Sequence, residues 1–314
     1  TILKDRTSQE VAYFIYEMND AEFVVFDLRD SVEVYMDKHE TSARQHEIAG
    51  VIQGSLYESF QAQGLEISLA KLLEEVFAWS VDFFHLEDGD GFKVIYEEQF
   101  VDGISIGISQ ILAAQIVHED TIYDAFHFDG DSLGDYFDRN GIALRRQFLQ
   151  SPVSYHTYGE AASASEFPSR QSRLSLDFGA PQHTPVLAMG EGTVSKIRRQ
   201  RGHLNSVSVS HEGGFQTQYM HLSKIDPELQ EGQALLPGDE IGYVGSPRGS
   251  STHVRLRFWK NGRQVHPNQV VFPSILQLPE DQFPQFQRQV TRYQDQLSRL
   301  QLEESLLNSL GATN

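Results

Sequence analysis

The sequence predicts an α+β, mainly β protein: an antiparallel-sheet domain preceded by one or more α+β modules and followed by a single C-terminal helix. Three observations carry this. From Pro185 to Val271, short apolar–polar alternations recur at eight to twelve residue spacing between Gly-rich turns, the pattern of an antiparallel sheet. Residues 1–150 carry the whole net charge of -19 and residues 151–314 sum to zero, so the two halves have different surfaces. From Phe283 to Leu307, apolar residues step by three and four with only Glu304 breaking the seam, as on one face of a long helix.

The elements follow in chain order. Thr7 to Asn19 offers a capping Thr or Ser, Glu10, and apolar Val11, Phe14, Ile15 and Met18, which predicts an N-terminal helix. Glu22–Leu28 and Ser31–Met36 alternate around Arg29-Asp30 and predict a hairpin. Ser55–Gln63 and Ser68–Ala78 read as helices, and Phe92–Phe128 as three strands turning at Asp102-Gly103 and at His118-Glu119-Asp120. The expected organisation is an acidic module or pair of modules over 1–153, divisible into 1–53 and 54–153. A linker or groove-bordering loop follows over 154–172, then the sheet domain over 173–273 and the helix over 279–310. The helix seam can pack onto its own chain or form a homodimer through 283–307.

Composition narrows the function classes. The absence of cysteine excludes disulfides, thiolate metal sites and thiol nucleophiles. No apolar run reaches the length of a membrane span, and mean hydropathy is -0.38. Thr1–Arg6 does not read as a secretory leader, and one removed earlier would leave no trace. A pI of 5.0 without a basic, aromatic-interleaved stripe argues against nucleic acid. The Gly-rich stretches 188–192 and 242–249 are hairpin turns; neither leads from a strand into a helix with the Lys-Ser/Thr of a phosphate loop.

The chemistry-bearing residues are Arg173-Leu174-Ser175-Leu176-Asp177, Tyr219-Met220-His221 and His253-Val254-Arg255. Between them stand Asp177-Phe178-Gly179-Ala180-Pro181, Gly190-Glu191-Gly192-Thr193-Val194, Gly202-His203-Leu204-Asn205 and Gly238-Asp239-Glu240-Ile241-Gly242. In order and spacing, residues 172–270 resemble the lysostaphin-type (LytM-domain) peptidoglycan endopeptidases. In that family the three signatures read His-x-x-x-Asp, a lone His, and His-x-His. The resemblance implies that the first His, the Asp and the last His bind zinc, while the other two histidines flank the metal-bound water as acid or base. Here Asp177 is the retained ligand and His221 and His253 stand at the acid/base positions, but Arg173 and Arg255 replace the two nitrogen ligands. A guanidinium has five donors and no lone pair to offer a metal. Arg257 further replaces the acidic residue that usually follows, and Asn205 falls where the family places a polar residue near the substrate groove.

More loosely, Gly54–Ser59, Gly89-Asp90-Gly91-Phe92 and Tyr136–Gly141 resemble the noncatalytic modules that precede such domains in periplasmic endopeptidases. The resemblance therefore implies a protein of the bacterial cell envelope, periplasmic or extracellular. It leaves two functions open. One is a catalytically inactive pseudopeptidase without a cofactor, whose groove of Arg173, Arg255, Arg257 and Asn205 binds stem peptides or a cell-wall hydrolase. The other is a zinc endopeptidase cutting peptide crosslinks. An altered metal set of Asp177, His221 and His253 is a third way to use the same residues. His183, His203, His211 and His266 are expected in turns or at strand ends, away from the chemistry.

Overall fold

Runs rich in Val, Ile, Phe and Tyr suit a pleated, half-buried surface, and three of them in the first forty residues build one sheet. The computed structural model describes residues 1–4, 10–29, 31–119, 121–130, 135–154, 170–172, 174–200, 205–246, 252–266 and 277–302. The chain divides into two compact units, residues 1–47 with 95–112 and residues 48–94 with 113–314.

In the first unit β1 (Ile2–Lys4), β2 (Val11–Glu17), β3 (Glu22–Asp27) and β4 (Glu33–Lys38) form an antiparallel sheet in that order. The hairpin expected at 22–36 is β3–β4. The helix expected over Thr7–Asn19 is not there: Val11–Glu17 is a strand paired with β1 and β3. The spacing of Val11, Phe14, Ile15 and Met18 fits a helix, but five of the residues from 11 to 16 are β-branched or aromatic, and the ladder to β3 outweighs the periodicity. Phe14 meets Phe26 across that ladder at 5.5 Å between ring centroids. The capping residues Thr7 and Ser8 lie outside the described residues.

A second sheet runs β5 (Thr41–Val51), β6 (Gly91–Val101), β7 (Ile104–His118), β8 (Thr121–Phe128) and β9 (Asp135–Phe137). The β6–β7 turn is Asp102-Gly103 as expected, with φ of 51° and 80°. Both values are positive, the conformation whose twist suits a tight hairpin and which Gly adopts freely.

The second unit contains the two expected helices, α1 (Leu56–Ala62) and α2 (Ile67–Phe77). Ser55 starts α1 by accepting from the Glu58 backbone N–H at 3.1 Å. Phe60, Leu73, Phe77, Phe92 and Phe126 are fully buried. A third, ten-stranded sheet holds β10 (Arg170–Ser172), β11 (Ser175–Gly179), β12 (Pro185–Leu187), β13 (Gly192–Arg198), β14 (Asn205–His211), β15 (Phe215–Ile225), β16 (Ala234–Leu235), β17 (Glu240–Val244), β18 (His253–Lys260) and β19 (Arg263–Val265). Its main path is β10-β11-β18-β15-β14-β13-β16; β12 pairs β17, which pairs β15, and β19 pairs β18. Of the expected linker, 155–169 lie outside the described residues and 170–172 are β10.

Residues 147–153 fasten this sheet to the helices of the same unit. Leu149 N–H donates to Met189 O at 2.8 Å, Leu187 N–H to Pro152 O at 2.7 Å, and Gln150 N–H to Ala78 O at 2.9 Å. The Phe148 ring lies edge-on to His211, Phe215 and Phe258, with centroids 4.8, 5.6 and 5.4 Å away. Gly190 makes room for it: a Cβ there would meet the Gln147 carbonyl at 2.5 Å and the Phe148 ring at 2.8 Å.

The C-terminal helix, α3 (Phe283–Arg299), has Pro284 in its first turn and buries Phe286, Val290, Tyr293 and Leu297 on its own chain. Phe286 lies edge-on to Phe128 and Phe137 at 5.5 and 5.8 Å. The helix is shorter than the expected 279–310. Leu300 is extended, with φ -73° and ψ 123°. Lys93 Nζ donates to the Leu297 carbonyl at 3.0 Å, satisfying one of the open acceptors of the last turn. The chain then leaves the helical path and sets Leu302 over Gly91, where a Cβ would stand 2.6 Å from its methyl group. Glu304 and Leu307 lie outside the described residues. Among the described residues no helix is long and apolar enough to cross a membrane.

Candidate functional site

The site is built on three adjacent strands, β11, β18 and β15. Alternation along β18 sends Val254, Leu256 and Phe258 into the core, 0, 0 and 1 % exposed, and leaves His253, Arg255 and Arg257 together on the opposite face. Register places Asp177 of β11 directly across from Arg255, with Met220 of β15 on its other side. Asp177 and Arg255 form a two-pronged ion pair: Nε donates to Oδ1 at 2.6 Å and Nη2 to Oδ2 at 2.7 Å. That fork is the geometry in which guanidinium and carboxylate bind most strongly. Its hydrogen bond to Asp177 raises the Arg255 pKa further above its ordinary value.

His221 arrives by a different device. The β14–β15 ladder pairs Ser206 with Met220 and Asn205 with Leu222, so His221 is the extra residue of a bulge. Its φ is 66°, a left-handed conformation that costs a non-glycine residue about 1–2 kcal/mol. The bulge turns the ring toward β18, where His221 Nδ1 and His253 Nε2 are 2.8 Å apart with the rings at 89°. Such a pair shares one hydrogen bond, one nitrogen donating and the other accepting. His221 is pushed down to about 4, first by burial and then by the positive fields of His253, Arg255 and Arg257, which outweigh Asp177. It is neutral at physiological pH. His253 Nε2 lies 4.0 Å from Asp177 Oδ2, at the limit of an ion pair.

The structure thus brings Asp177, His221, His253 and Arg255 together, with Arg257 two residues along the same face of β18. Arg173 lies outside the described residues. Asn205 stands beside the bulge with its amide engaged by the backbone. Its Nδ2 donates to Leu222 O and Ser223 O at 2.9 and 3.1 Å, and its Oδ1 accepts from Gln200 N–H at 2.8 Å. It braces the residues that follow His221. His211, expected in a turn or at a strand end, is the last residue of β14, yet it is buried. Its Nδ1 is 2.6 Å from Glu191 O and its Nε2 is 2.7 Å from Thr217 Oγ1, which in turn shares a hydrogen bond with the Tyr219 hydroxyl. Burial lowers its pKa and raises that of Tyr219 to about 12.

The donor set does not fit zinc. Both oxygens of Asp177 are taken by Arg255, whose guanidinium has no lone pair to give. Two imidazole nitrogens on one tetrahedral zinc, each ~2.0–2.1 Å from it, stand about 3.3 Å apart and point at the metal. Here they are 2.8 Å apart and point at each other. Among the described residues no three His, Asp or Glu side chains are grouped to hold a metal ion.

Residues 171–267, which contain this whole constellation, match the family model Peptidase family M23, and residues 40–163 match that of the Csd3 second domain. The segment from 171 to 267 is a peptidase M23 (LytM-type) domain. Among curated proteins, the peptidoglycan DD-endopeptidase ShyC of Vibrio cholerae is 28% identical over 256 residues, covering 78% of this chain and 56% of that protein. The DD-carboxypeptidase/endopeptidase Mpg of Neisseria meningitidis is 27% identical over 234 residues, covering 71% of this chain and 54% of its own length. The chain therefore spans about half the length of the curated relatives it matches. Helicobacter pylori Csd3 is a solved structure with 19% identity, covering 95% of this chain and 80% of that one at a TM-score of 0.47.

Proposed function

We propose that this protein is a peptidoglycan-associated member of the M23 peptidases that does not hydrolyse the wall. Its groove holds stem peptides, in the cell envelope, without cutting them. One observation carries the reading: the Asp177–Arg255 fork occupies both oxygens of the only metal-ligand position that the family pattern retains here. Hydrolysis in this family pattern asks for an activated water. The His221–His253 pair can exchange a proton with a water, but neither imidazole can lower its pKa as a Lewis acid does. The peptidoglycan names of the relatives support the ligand class.

The test is elemental analysis of the purified protein together with digestion of purified peptidoglycan. The expected result is zinc well below one per chain and undigested muropeptides. One zinc per chain, lost on Asp177→Ala, together with released peptides, would instead establish the endopeptidase.

A further inference from the structure

Asp177 neutralises Arg255, but the next arginine on the same face of β18 is left over. Arg257 follows Arg255 by two residues, hence about 6.6 Å along the strand, and lies across from Gln218 of β15. Its Nε is sealed from water and has no acceptor among the described residues. The rest of the side chain is half-buried. A desolvated N–H on a permanently charged group is unfavourable unless an acceptor meets it. The three charges Asp177, Arg255 and Arg257 sum to one positive charge, so an acceptor placed here is favoured if it is an anion.

We infer that Arg257 receives the carboxylate of a peptide ligand at the outer nitrogens of its guanidinium, beside the Asp177–Arg255 pair. The inference rests on the reading of the groove as a binding site, and it names which end of the peptide is read: a free carboxyl group and not an internal amide. A planar two-oxygen anion matches the fork, as the Asp177–Arg255 pair two residues away already demonstrates. The same carboxylate chemistry can be offered by a stem peptide of the wall or by an acidic end of a protein.

The experiment is calorimetric titration of the protein with acetyl-D-alanyl-D-alanine and with its C-terminal amide, using wild type, Arg257→Met and Arg257→Lys. Co-sedimentation with intact sacculi runs beside it. The acid is expected to bind wild type about tenfold or more tightly than the amide, the worth of one charge-assisted hydrogen bond. Arg257→Met is expected to erase that difference, and Arg257→Lys to keep the charge but recover only part of it. Each variant's thermal midpoint is measured alongside, and the acid–amide comparison on wild type needs no mutation at all. Equal binding of acid and amide by wild type, or binding of neither, overturns the inference. If sacculi then still sediment the protein, the wall-binding function stands without it. If the acid is bound through Arg257 while sacculi are not, the carboxylate is a protein's and the wall reading falls.

Discussion

At the scale of single residues, the site is governed by which nitrogen or oxygen has already found a partner. Asp177 is committed to Arg255, and freeing it should change its chemistry. Converting Arg173 and Arg255 to His together should create zinc binding, read as close to one zinc per chain, because Asp177 regains its oxygens and the family's His-x-x-x-Asp and His-x-His patterns are restored in the sequence. His221 makes a second prediction through its pKa. The folded value of about 4 lies below the ordinary 6.5, so the unfolded chain binds this proton more readily. Stability from this group is therefore present above pH 6.5 and is lost as pH falls from 6.5 toward 4. Urea unfolding midpoints across that window should decline for wild type and decline less for His221→Asn, an amide that tolerates the left-handed φ of the bulge. An equal slope in both proteins would remove His221 from the cause.

At the scale of elements, the sheet domain was legible because its strands declare themselves. His253-Val254-Arg255-Leu256-Arg257-Phe258 alternates without interruption, so the sequence alone tells that both arginines share a face. What it could not tell is how that face is closed from a distance. Phe148, more than sixty residues before His211, turns a strand-end histidine into a buried one, and no local pattern announces a partner so remote. Asn205 is similar: its hydrogen bonds to Leu222 and Ser223 exist only because β14 lies beside β15. Strand β2 was misread for the opposite reason, since its local pattern satisfies a helix while its partner β3 makes it a strand. The packing of Phe148 against His211, Phe215 and Phe258 predicts that Phe148→Ala costs about 3–5 kcal/mol by chemical denaturation, the usual loss for an aromatic ring removed from a packed core. Gly190→Ala should also destabilise, because the Cβ would press on the fixed Gln147 carbonyl and not on a side chain free to move.

For the molecule as a whole, the carboxylate that would elsewhere hold a metal ion is paired with an arginine of the same chain. On the proposed reading of the site, a chelator should leave the thermal midpoint where it is, since the native state would then hold no metal to withdraw. A midpoint that drops on chelation and recovers with zinc would contradict the donor set described here. The Asp177–Arg255 pair also joins positions 78 residues apart. Because side chains alternate with a period of two, sliding β11 by one residue against β18 would turn Asp177 away from Arg255 and put Phe178 on the groove face. The pair therefore acts as a register key for two strands that meet late. That meeting closes a long loop, and on the proposed reading it needs no metal to draw the strands together, so refolding of this domain should proceed at the same rate with and without added zinc.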